Sequence, residues 1–531
     1  MSRPWLTAGW RTGGLALAAG ASAALAHPPF GFLPGLLGFG LLMHLLDQVN
    51  QRVPLRSAFW RGWLAGSAYF LISTWWVGEA FLVDFAAHGW QAPFAVGLLA
   101  CGLGLLWGGA GVAYRLLAPV GAWRVLTYAA VFGVVEWLRG HILTGFPWDL
   151  PGEAWRAGGL ISQSASLIGV YALSVVTLAI SAAPALWLGG DSRRSRWVGT
   201  GAAAATLLLM AGFGAVRLGF APTSATSLRV RVVQPRIEQA AKWTPEAFRS
   251  IFDTYTSLTA ATPAGGKTPQ VVIWPESAIP ADSAAYLAEG TWTRSALIEA
   301  LKPGQILVMG AVRTEGARYF NSVLAVRRDA AGLTLLGSYD KHHLVPFGEY
   351  MPMDALMGAI GFKALVNVGD GFTPGPAPGP LTVEGLPTLQ PLICYESLFP
   401  SFVARDRPRP SWIANVSNDA WFGQTSGPWQ HLNLASYRAI EEGIPMVRAT
   451  PTGVSAIIDS YGRPLRTLGP GIRGFIDADL PAAIPRTPYW FARDWVFWLL
   501  SFAGIAVGSP AAYRKLRLPP RTASVGRHEH R

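Results

Sequence analysis

Eight apolar runs in this chain are long enough, or nearly long enough, to cross a lipid bilayer as helices. A bilayer core about 30 Å thick needs about 20 apolar residues in helical conformation, and lipid forces a spanning backbone to satisfy its own hydrogen bonds. The runs cover residues 13–26, 32–46, 62–83, 92–114, 125–143, 168–188, 197–216 and 495–513. The sequence therefore predicts a polytopic α-helical membrane bundle of about eight spans.

The composition favours a membrane protein over a soluble one. Hydrophobic residues make up 51% of the chain and charged residues only 14%, whereas about 25% of the residues in a soluble domain are charged. The 23 Trp and 25 Phe residues suit helices whose ends lie in the aromatic belts of a bilayer. The net charge of +12 does not indicate nucleic-acid binding, because the Arg residues gather in short loops and tails beside the apolar runs.

The first apolar run also has features of a signal peptide. Arg3 and Arg11 stand at its start, and it ends in Ala-Leu-Ala before His27, which is a plausible cleavage site. A second apolar run begins almost at once. This favours a helical hairpin that is retained in the protein.

Between the seventh and eighth runs the composition changes to mixed charge, with strand patterns, proline turns and amphipathic helices. The sequence predicts a seven-span bundle over residues 1–220, a globular domain over 221–488, a final span over 489–513 and a basic tail over 514–531. Strands are predicted at 228–233, 271–274, 306–312, 322–326, 335–339, 389–394, 412–416 and 454–459. Strands that alternate with helices favour an α/β layered domain.

Positive charge near the spans predicts the orientation of the chain. Positive residues accumulate on the cytoplasmic side, so a basic tail after a single final span places the globular domain outside, in the bacterial periplasm, with both termini in the cytoplasm. The residues concerned are Arg3, Arg11, Arg52, Arg56, Arg115, Arg124, Arg193, Arg194, Arg196 and those of the tail from Arg514 onward. The periplasm oxidises exposed thiols, so an unpaired cysteine there, Cys394, is a candidate for chemistry.

Three segments of the globular domain share one design, in which a buried strand ends at a reactive residue. Cys394 ends Pro-Leu-Ile-Cys, Glu276 follows Val-Val-Ile-Trp-Pro, and Lys341 follows Ser-Tyr-Asp. Singly, the cysteine fits a core residue and the two charges fit solvated loops. Together they supply what acyl transfer through a thioester requires: a nucleophile, a base for its proton and a cation for the oxyanion.

The motifs Trp-Pro-Glu, Asp-Lys-His-His-Leu-Val-Pro-Phe-Gly-Glu-Tyr and Cys-Tyr-Glu, in this order, resemble the Glu-Lys-Cys triad of the nitrilase superfamily. The membrane flanks and the Asn-Val-Ser-Asn-Asp-Ala-Trp-Phe-Gly stretch from Asn415 make the chain similar to the membrane-bound apolipoprotein N-acyltransferase family. The resemblance implies a nitrilase-like αββα sandwich. It also implies that Glu276 is the general base, Lys341 the oxyanion stabiliser and Cys394 the nucleophile.

Four further residues match the pattern of the same family. Glu349 and Glu396 match active-site carboxylates, Tyr395 matches a neighbour that supports the nucleophile, and Trp243 matches a tryptophan on a loop through which substrate enters. The two carboxylates also fit a purely orienting role beside the catalytic lysine, because charged groups near a dry site normally require partners.

The sequence predicts neither a metal site nor a cofactor. His342 and His343 are adjacent, and neighbouring residues on an extended chain point to opposite faces, so the two imidazoles cannot easily share one ion. No Cys or His cluster with ligand spacing lies near them in the sequence. They are interpreted as packing groups or as groups that support the site residues.

The resemblance implies a phospholipid acyl donor, a thioester on Cys394 and attack by the α-amine of the diacylglyceryl-cysteine of an apolipoprotein. A membrane-tethered nitrilase-type amidase and a non-catalytic lipid-binding scaffold are the alternatives. An amidase needs a water path and a small polar pocket, whereas a transferase needs an opening to lipid. The apolar stretches 350–353 and 359–362 fit such an opening and fit an ordinary core segment equally well.

Overall fold

The structure, a computed structural model, describes residues 4–221, 224–242, 246–351, 371–403 and 407–517. Trp243, half of the apolar stretch 350–353, all of the stretch 359–362 and the tail from residue 518 lie outside the described residues. Their predicted roles are therefore untested.

The N-terminal part of the chain is a helical bundle. All seven apolar runs predicted there fall largely on helix. Its α-helices are α1 Pro4–Ala24, α2 Leu37–Asp47, α3 Pro54–Thr74, α4 Glu79–Leu82, α5 Phe85–His88, α6 Ala92–Leu117, α7 Trp123–Arg139, α8 Ala165–Ala182 and α9 Arg193–Gly219.

Three helical segments in the described part of the chain are both long and apolar enough to cross a membrane. They are Phe85–Leu117, Ile161–Trp187 and Arg193–Gly219. Two shorter apolar helices, Leu33–Asp47 and Trp495–Pro510, accompany them. These helices fit the predicted membrane bundle by length and composition, whereas the count of about eight spans stays a prediction.

Small residues let the helices of the bundle pack closely. A Cβ on Gly62 of α3 would lie 2.3 Å from the carbonyl oxygen of Trp107 in α6. A Cβ on Gly104 of α6 would lie 2.5 Å from Oγ of Ser67 in α3. Lipid provides little hydrophobic drive between helices, so such close backbone contact is a main source of their association.

The globular part contains two β-sheets. One has the strand order β11-β1-β2-β3-β4-β5 and the other the order β10-β9-β8-β7-β6. β1 to β3 run parallel in the first sheet, as do β6 to β8 in the second. The strands are β1 Ala225–Gln234, β2 Val271–Trp274, β3 Ile306–Glu315, β4 Arg318–Asp329, β5 Gly332–Asp340, β6 Leu389–Ile393, β7 Trp412–Val416, β8 Met446–Ala449, β9 Ser455–Ile458, β10 Pro464–Leu468 and β11 Gly474–Pro481.

The two sheets pack face to face, and helices cover their outer faces. Apolar side chains of both sheets, such as Val232 and Val308 of the first and Ala414 and Val447 of the second, form one buried cluster. The helices are α10 Gln239–Lys242, α11 Ala247–Ala260, α12 Ser283–Leu287 and α13 Trp292–Ala300 beside the first sheet, and α14 Gly427–Glu442 on the second. This is the αββα sandwich that the resemblance implied.

Helix α14 also joins the sandwich to the bundle, and it is buried along almost its whole length. Asn433 Nδ2 donates to the carbonyl oxygen of Glu153 at 2.9 Å. The backbone N–H of Val170 in α8 donates to Glu441 Oε1, also at 2.9 Å. These contacts hold the globular part directly on the loops and helices of the bundle.

After the sandwich, α15 Pro488–Ala492 leads into the long helix α16 Trp495–Arg517. Thr127 Oγ1 of α7 donates to the carbonyl oxygen of Gly504 in α16 at 2.9 Å. A Cβ on Gly504 would lie 2.6 Å from that of Ala130, so α16 lies tightly against the bundle. The chain thus returns to its N-terminal helices after forming the sandwich.

Candidate active site

Glu276, Lys341 and Cys394 each lie one or two residues beyond a strand, after β2, β5 and β6. The structure brings the three together between the ends of the two sheets. Their exposed fractions are 6%, 1% and 9%. Lys341 Nζ is 3.5 Å from Glu276 Oε1, and both charges act on the Cys394 thiol strongly enough to influence its pKa.

The two carboxylates beside Lys341 differ in how their oxygens are bonded. Both oxygens of Glu349 are engaged, since Lys341 Nζ lies 2.9 Å from Oε1 and 2.8 Å from Oε2, and the backbone N–H of Val345 also donates to Oε2. Glu276 Oε1 accepts from Asn321 Nδ2 at 2.6 Å, but its Oε2 is buried and has no hydrogen-bond partner among the described residues. Glu276 therefore has an oxygen available to take a proton, and Glu349 has the bonding of an orienting group.

Asn321 is a site residue that the sequence analysis missed. It lies on β4, and its Nδ2 donates to Oε1 of both Glu276 and Glu349, at 2.6 and 2.8 Å. One amide thus spaces the two carboxylates around the ammonium. The available signal was a lone asparagine at the start of an otherwise apolar strand segment, Asn-Ser-Val-Leu-Ala-Val.

The ammonium of Lys341 remains charged in this buried position. Burial alone favours the neutral amine, but the negative charges of Glu349 and Glu276 outweigh it and raise the pKa of Lys341 above its ordinary value. A permanent positive charge in a water-poor site is suited to stabilise an oxyanion.

Cys394 lies at a strained turn immediately after β6. Its φ of +49° is in the left-handed region, which a side chain with a Cβ rarely adopts. Burial, reinforced by the charge of Glu276, raises the pKa of the thiol well above its usual range, although Lys341 opposes this shift. The resting thiol is therefore protonated, and its attack requires a base at the moment of reaction.

Glu396 connects the lysine loop to the cysteine turn. Its Oε1 accepts from the backbone N–H groups of His342 and His343, at 2.8 and 3.2 Å, and from the hydroxyl of Tyr339 at 2.9 Å. Its Oε2 accepts from the N–H of Ile393 at 2.8 Å. Burial raises the pKa of Glu396 to about 7. These bonds favour an orienting role.

Tyr395 links the site to the bundle. Its hydroxyl donates to the carbonyl oxygen of Gly145, in the loop after α7, at 2.6 Å. The ring of His343 lies between the neighbouring ring of Phe399, at a centroid distance of 4.0 Å, and the loop carbonyl of Thr144, which is 2.7 Å from its Nε2. The bundle therefore helps to position both the cysteine turn and the lysine loop.

No group of three or more His, Cys, Asp or Glu side chains within the described ranges is arranged to hold a metal ion. His342 and His343 have separate partners, since His342 Nδ1 lies 2.9 Å from the carbonyl oxygen of Gly375 and His343 contacts Thr144. The two imidazoles are engaged in positioning the loop.

Two family models match the sequence, and they divide it as the structure does. The carbon-nitrogen hydrolase family matches residues 229–489, and the apolipoprotein N-acyltransferase N-terminal domain matches residues 19–183. The first match covers the sandwich with the three candidate catalytic residues. The second covers most of the bundle.

Curated relatives match over nearly the full length of the chain. The apolipoprotein N-acyltransferase of Caulobacter vibrioides is 54% identical over 90% of this chain and 91% of its own. That of Brucella melitensis is 41% identical over 91% and 92% of the two chains, and that of Rhodopseudomonas palustris is 39% identical over 91% of each. The chain belongs to the apolipoprotein N-acyltransferase family.

Proposed function

We propose that this membrane acyltransferase moves a fatty acyl group from a phospholipid, through a thioester on Cys394, to the α-amine of an N-terminal diacylglyceryl-cysteine of an apolipoprotein. The proposal rests on one observation: Cys394 is buried beside Glu276 and the charged Lys341. Oε2 of Glu276 has no hydrogen-bond partner among the described residues. Each of the three supplies one requirement of thioester chemistry.

In the first half-reaction, Glu276 Oε2 takes the thiol proton while the sulfur of Cys394 attacks the ester carbonyl carbon of the phospholipid. Negative charge moves to the carbonyl oxygen, where the ammonium of Lys341 stabilises it. The C–O bond then breaks, and the lysophospholipid leaves with the proton from Glu276. The acyl group remains on Cys394 as a thioester.

In the second half-reaction, the α-amine of the lipoprotein attacks the thioester carbonyl carbon and gives a proton to Glu276. Lys341 stabilises a second oxyanion, the C–S bond breaks, and the sulfur of Cys394 recovers the proton. An amide remains on the acceptor, and the enzyme returns to its initial state. The two half-reactions share one base and one cation, so no further group is required.

The attachment of the site to the bundle supports transfer to a lipid-bound amine over hydrolysis. Both substrates carry acyl chains, whose withdrawal from a bilayer costs about 0.8 kcal/mol per methylene. Cys394 is only 9% exposed and Tyr395 beside it is bonded to the loop after α7, so the chemistry takes place next to the bundle and away from bulk water. Exclusion of water from an acyl-enzyme favours an amine as the second nucleophile.

The proposal is tested by giving the enzyme a phospholipid and a diacylglyceryl-cysteine peptide with a free α-amine. We expect mass spectrometry to detect an N-acyl peptide and an equal amount of lysophospholipid. The same peptide with an acetylated α-amine is the control and should remain unchanged. Release of free fatty acid without acylated peptide would instead support a hydrolase.

We further propose that the chain consists of a bundle over 1–220, a periplasmic catalytic domain over 221–488, a final span over 489–513 and a cytoplasmic tail over 514–531, with both termini in the cytoplasm. The distribution of arginine near the spans supports this orientation. A membrane-impermeant thiol reagent should label a cysteine introduced at exposed Lys267 in whole spheroplasts, in a Cys101→Ser, Cys394→Ser background. Labelling only after membrane disruption would contradict the orientation.

Replacing Lys341 by Met should lower turnover by about 100- to 1,000-fold, the typical cost of one lost oxyanion stabiliser. The change also leaves Glu276 and Glu349 buried without their shared cation, so we expect a lower melting temperature. The double variant Lys341→Met, Glu349→Gln restores the original net charge and should recover stability without activity. Near-normal turnover in either variant would refute the oxyanion role, and Lys267→Met is the exposed control.

A further inference from the structure

Asp419 lies in a buried ionic cluster behind Cys394. It is fully buried. Both of its oxygens accept from Nη2 of Arg448, at 2.9 and 2.8 Å, and Oδ1 is also 2.9 Å from Nδ1 of His431. A carboxylate held this firmly by arginine fixes the orientation of the imidazole that bonds to it.

The other side of the His431 ring reaches the nucleophile turn. Its Nε2 lies 3.1 Å from Oγ of Ser397 and 3.3 Å from the carbonyl oxygen of Cys394. Ser397 Oγ itself donates to the same carbonyl at 2.8 Å. His431 is 1% exposed and lies against the rings of Trp148 and Phe422, and both of its ring nitrogens already face protein partners.

The turn that these contacts reach is the one that requires support. Cys394 has a φ of +49°, and a residue in this conformation persists only where surrounding contacts enforce it. The carbonyl of Cys394 is held by the serine hydroxyl and lies beside the imidazole. Loss of that hold would let the turn relax and move the sulfur relative to Glu276 and Lys341.

The residue before His431 connects the same helix to the bundle. Gln430 Oε1 accepts from the indole N–H groups of Trp76 and Trp148, both at 2.9 Å. Two consecutive residues of α14 therefore contact connecting segments of the bundle and the cysteine turn. The bundle, through this helix, sets the place of the nucleophile.

We infer that His431 is a positioning residue: it fixes Ser397 and the Cys394 carbonyl and so keeps the turn at Cys394 in its reactive conformation. The inference rests on the proposed function, since the turn matters only if Cys394 is the nucleophile. His431 touches no reacting atom. It acts through the backbone of Cys394.

Two amide substitutions separate positioning from mere stability. Glutamine places an amide near the position of the imidazole Nε2, so His431→Gln can still bond to Ser397 and the Cys394 carbonyl. Asparagine places its amide near Nδ1, so His431→Asn keeps the bond to Asp419 and loses the turn. We expect His431→Asn to lower the maximal single-turnover rate of Cys394 acylation by about 100-fold, a typical cost of a misplaced reacting group. The half-saturating phospholipid concentration should not change, and His431→Gln should retain most of the rate.

A second measurement needs no lipid: the rate at which iodoacetamide alkylates Cys394, followed by peptide mass spectrometry. It should fall in His431→Asn and be preserved in His431→Gln. The inference would be overturned if both variants lost the same rate in parallel with a fall in melting temperature. A change only in the half-saturating phospholipid concentration would also overturn it. If the native enzyme were alkylated at Cys394 but never acylated by phospholipid, the proposed function would fail, while the alkylation rates would still decide the role of His431.

Discussion

Replacement of Cys394 by Ala should abolish acyl transfer. The chain then has no nucleophile at the strained turn after β6, and losing the nucleophile of a covalent mechanism costs on the order of a million-fold in rate elsewhere. Cys394→Ser should be equally inactive, because the thiol is already fully protonated at rest and a hydroxyl is far harder to ionise with the same base. N-acylation of a diacylglyceryl peptide, followed by mass spectrometry, measures both variants.

The matched control is Cys101→Ser. Cys101 is an exposed residue of α6. Its backbone carbonyl oxygen accepts a hydrogen bond from Trp63 Nε1 at 3.0 Å. We expect native turnover in this variant. Both Cys394 variants should keep the native melting temperature within a few degrees, since the changes remove little volume. Activity in Cys394→Ala would show that acyl transfer does not pass through this sulfur.

Glu276→Gln should lower turnover by about 100- to 10,000-fold, the range typical of a lost general base. Glutamine has nearly the same shape and can still accept from Asn321 Nδ2, but it cannot take a proton at the position of Oε2. Since Lys341 keeps Glu349 as its counter-ion, the variant should fold normally. Single-turnover acylation of Cys394 by phospholipid, compared with thermal unfolding, separates the two effects.

Glu384→Gln is the control for this carboxylate. Its side chain is 79% exposed and pairs with Arg327 far along β4 from the site, so turnover should not change. If Glu276→Gln acylated Cys394 at a native rate, another group would have to be the base. Because both Glu349 oxygens are bonded to donors, that result would require a rearranged site.

Most of the predicted strands lie where burial makes a continuous apolar pattern, whereas 335–339 lies on the partly exposed β5 and 228–233 contains two arginines. All eight, such as 271–274 and 412–416, fall on strands of the sandwich. Three strands were missed, and charged side chains interrupt each of them: Arg448 in β8 Met446–Ala449, Arg466 in β10 Pro464–Leu468, and Asp477 and Asp479 in β11 Gly474–Pro481. Their place in the sheet depends on neighbours distant in sequence.

The three candidate catalytic residues could be predicted from the sequence to lie together because each follows a strand within a motif. The residues that support them, Asn321 and His431, could not be predicted in this way. Asn321 on β4 bonds to residues 28 and 45 positions away in the chain. His431 on α14 contacts residues 34 and 37 positions away. No local sequence pattern reveals contacts over such distances. The position of Asp419 likewise depends on a residue distant in sequence, because its ion-pair partner, Arg448, lies on β8, 29 positions along the chain.

The most direct test of the proposed mechanism is the state of Cys394 after incubation with phospholipid alone. Peptide mass spectrometry should find an acyl group on Cys394 that hydroxylamine removes, since a thioester yields to this nucleophile and an amide does not. A diacylglyceryl-cysteine peptide with a free amine should then discharge the thioester and become N-acylated, whereas a peptide with a blocked amine should not. Discharge to water at one rate with either peptide would contradict acyl transfer and support a hydrolase. Complete absence of acyl-Cys394 with every phospholipid would contradict the covalent mechanism itself.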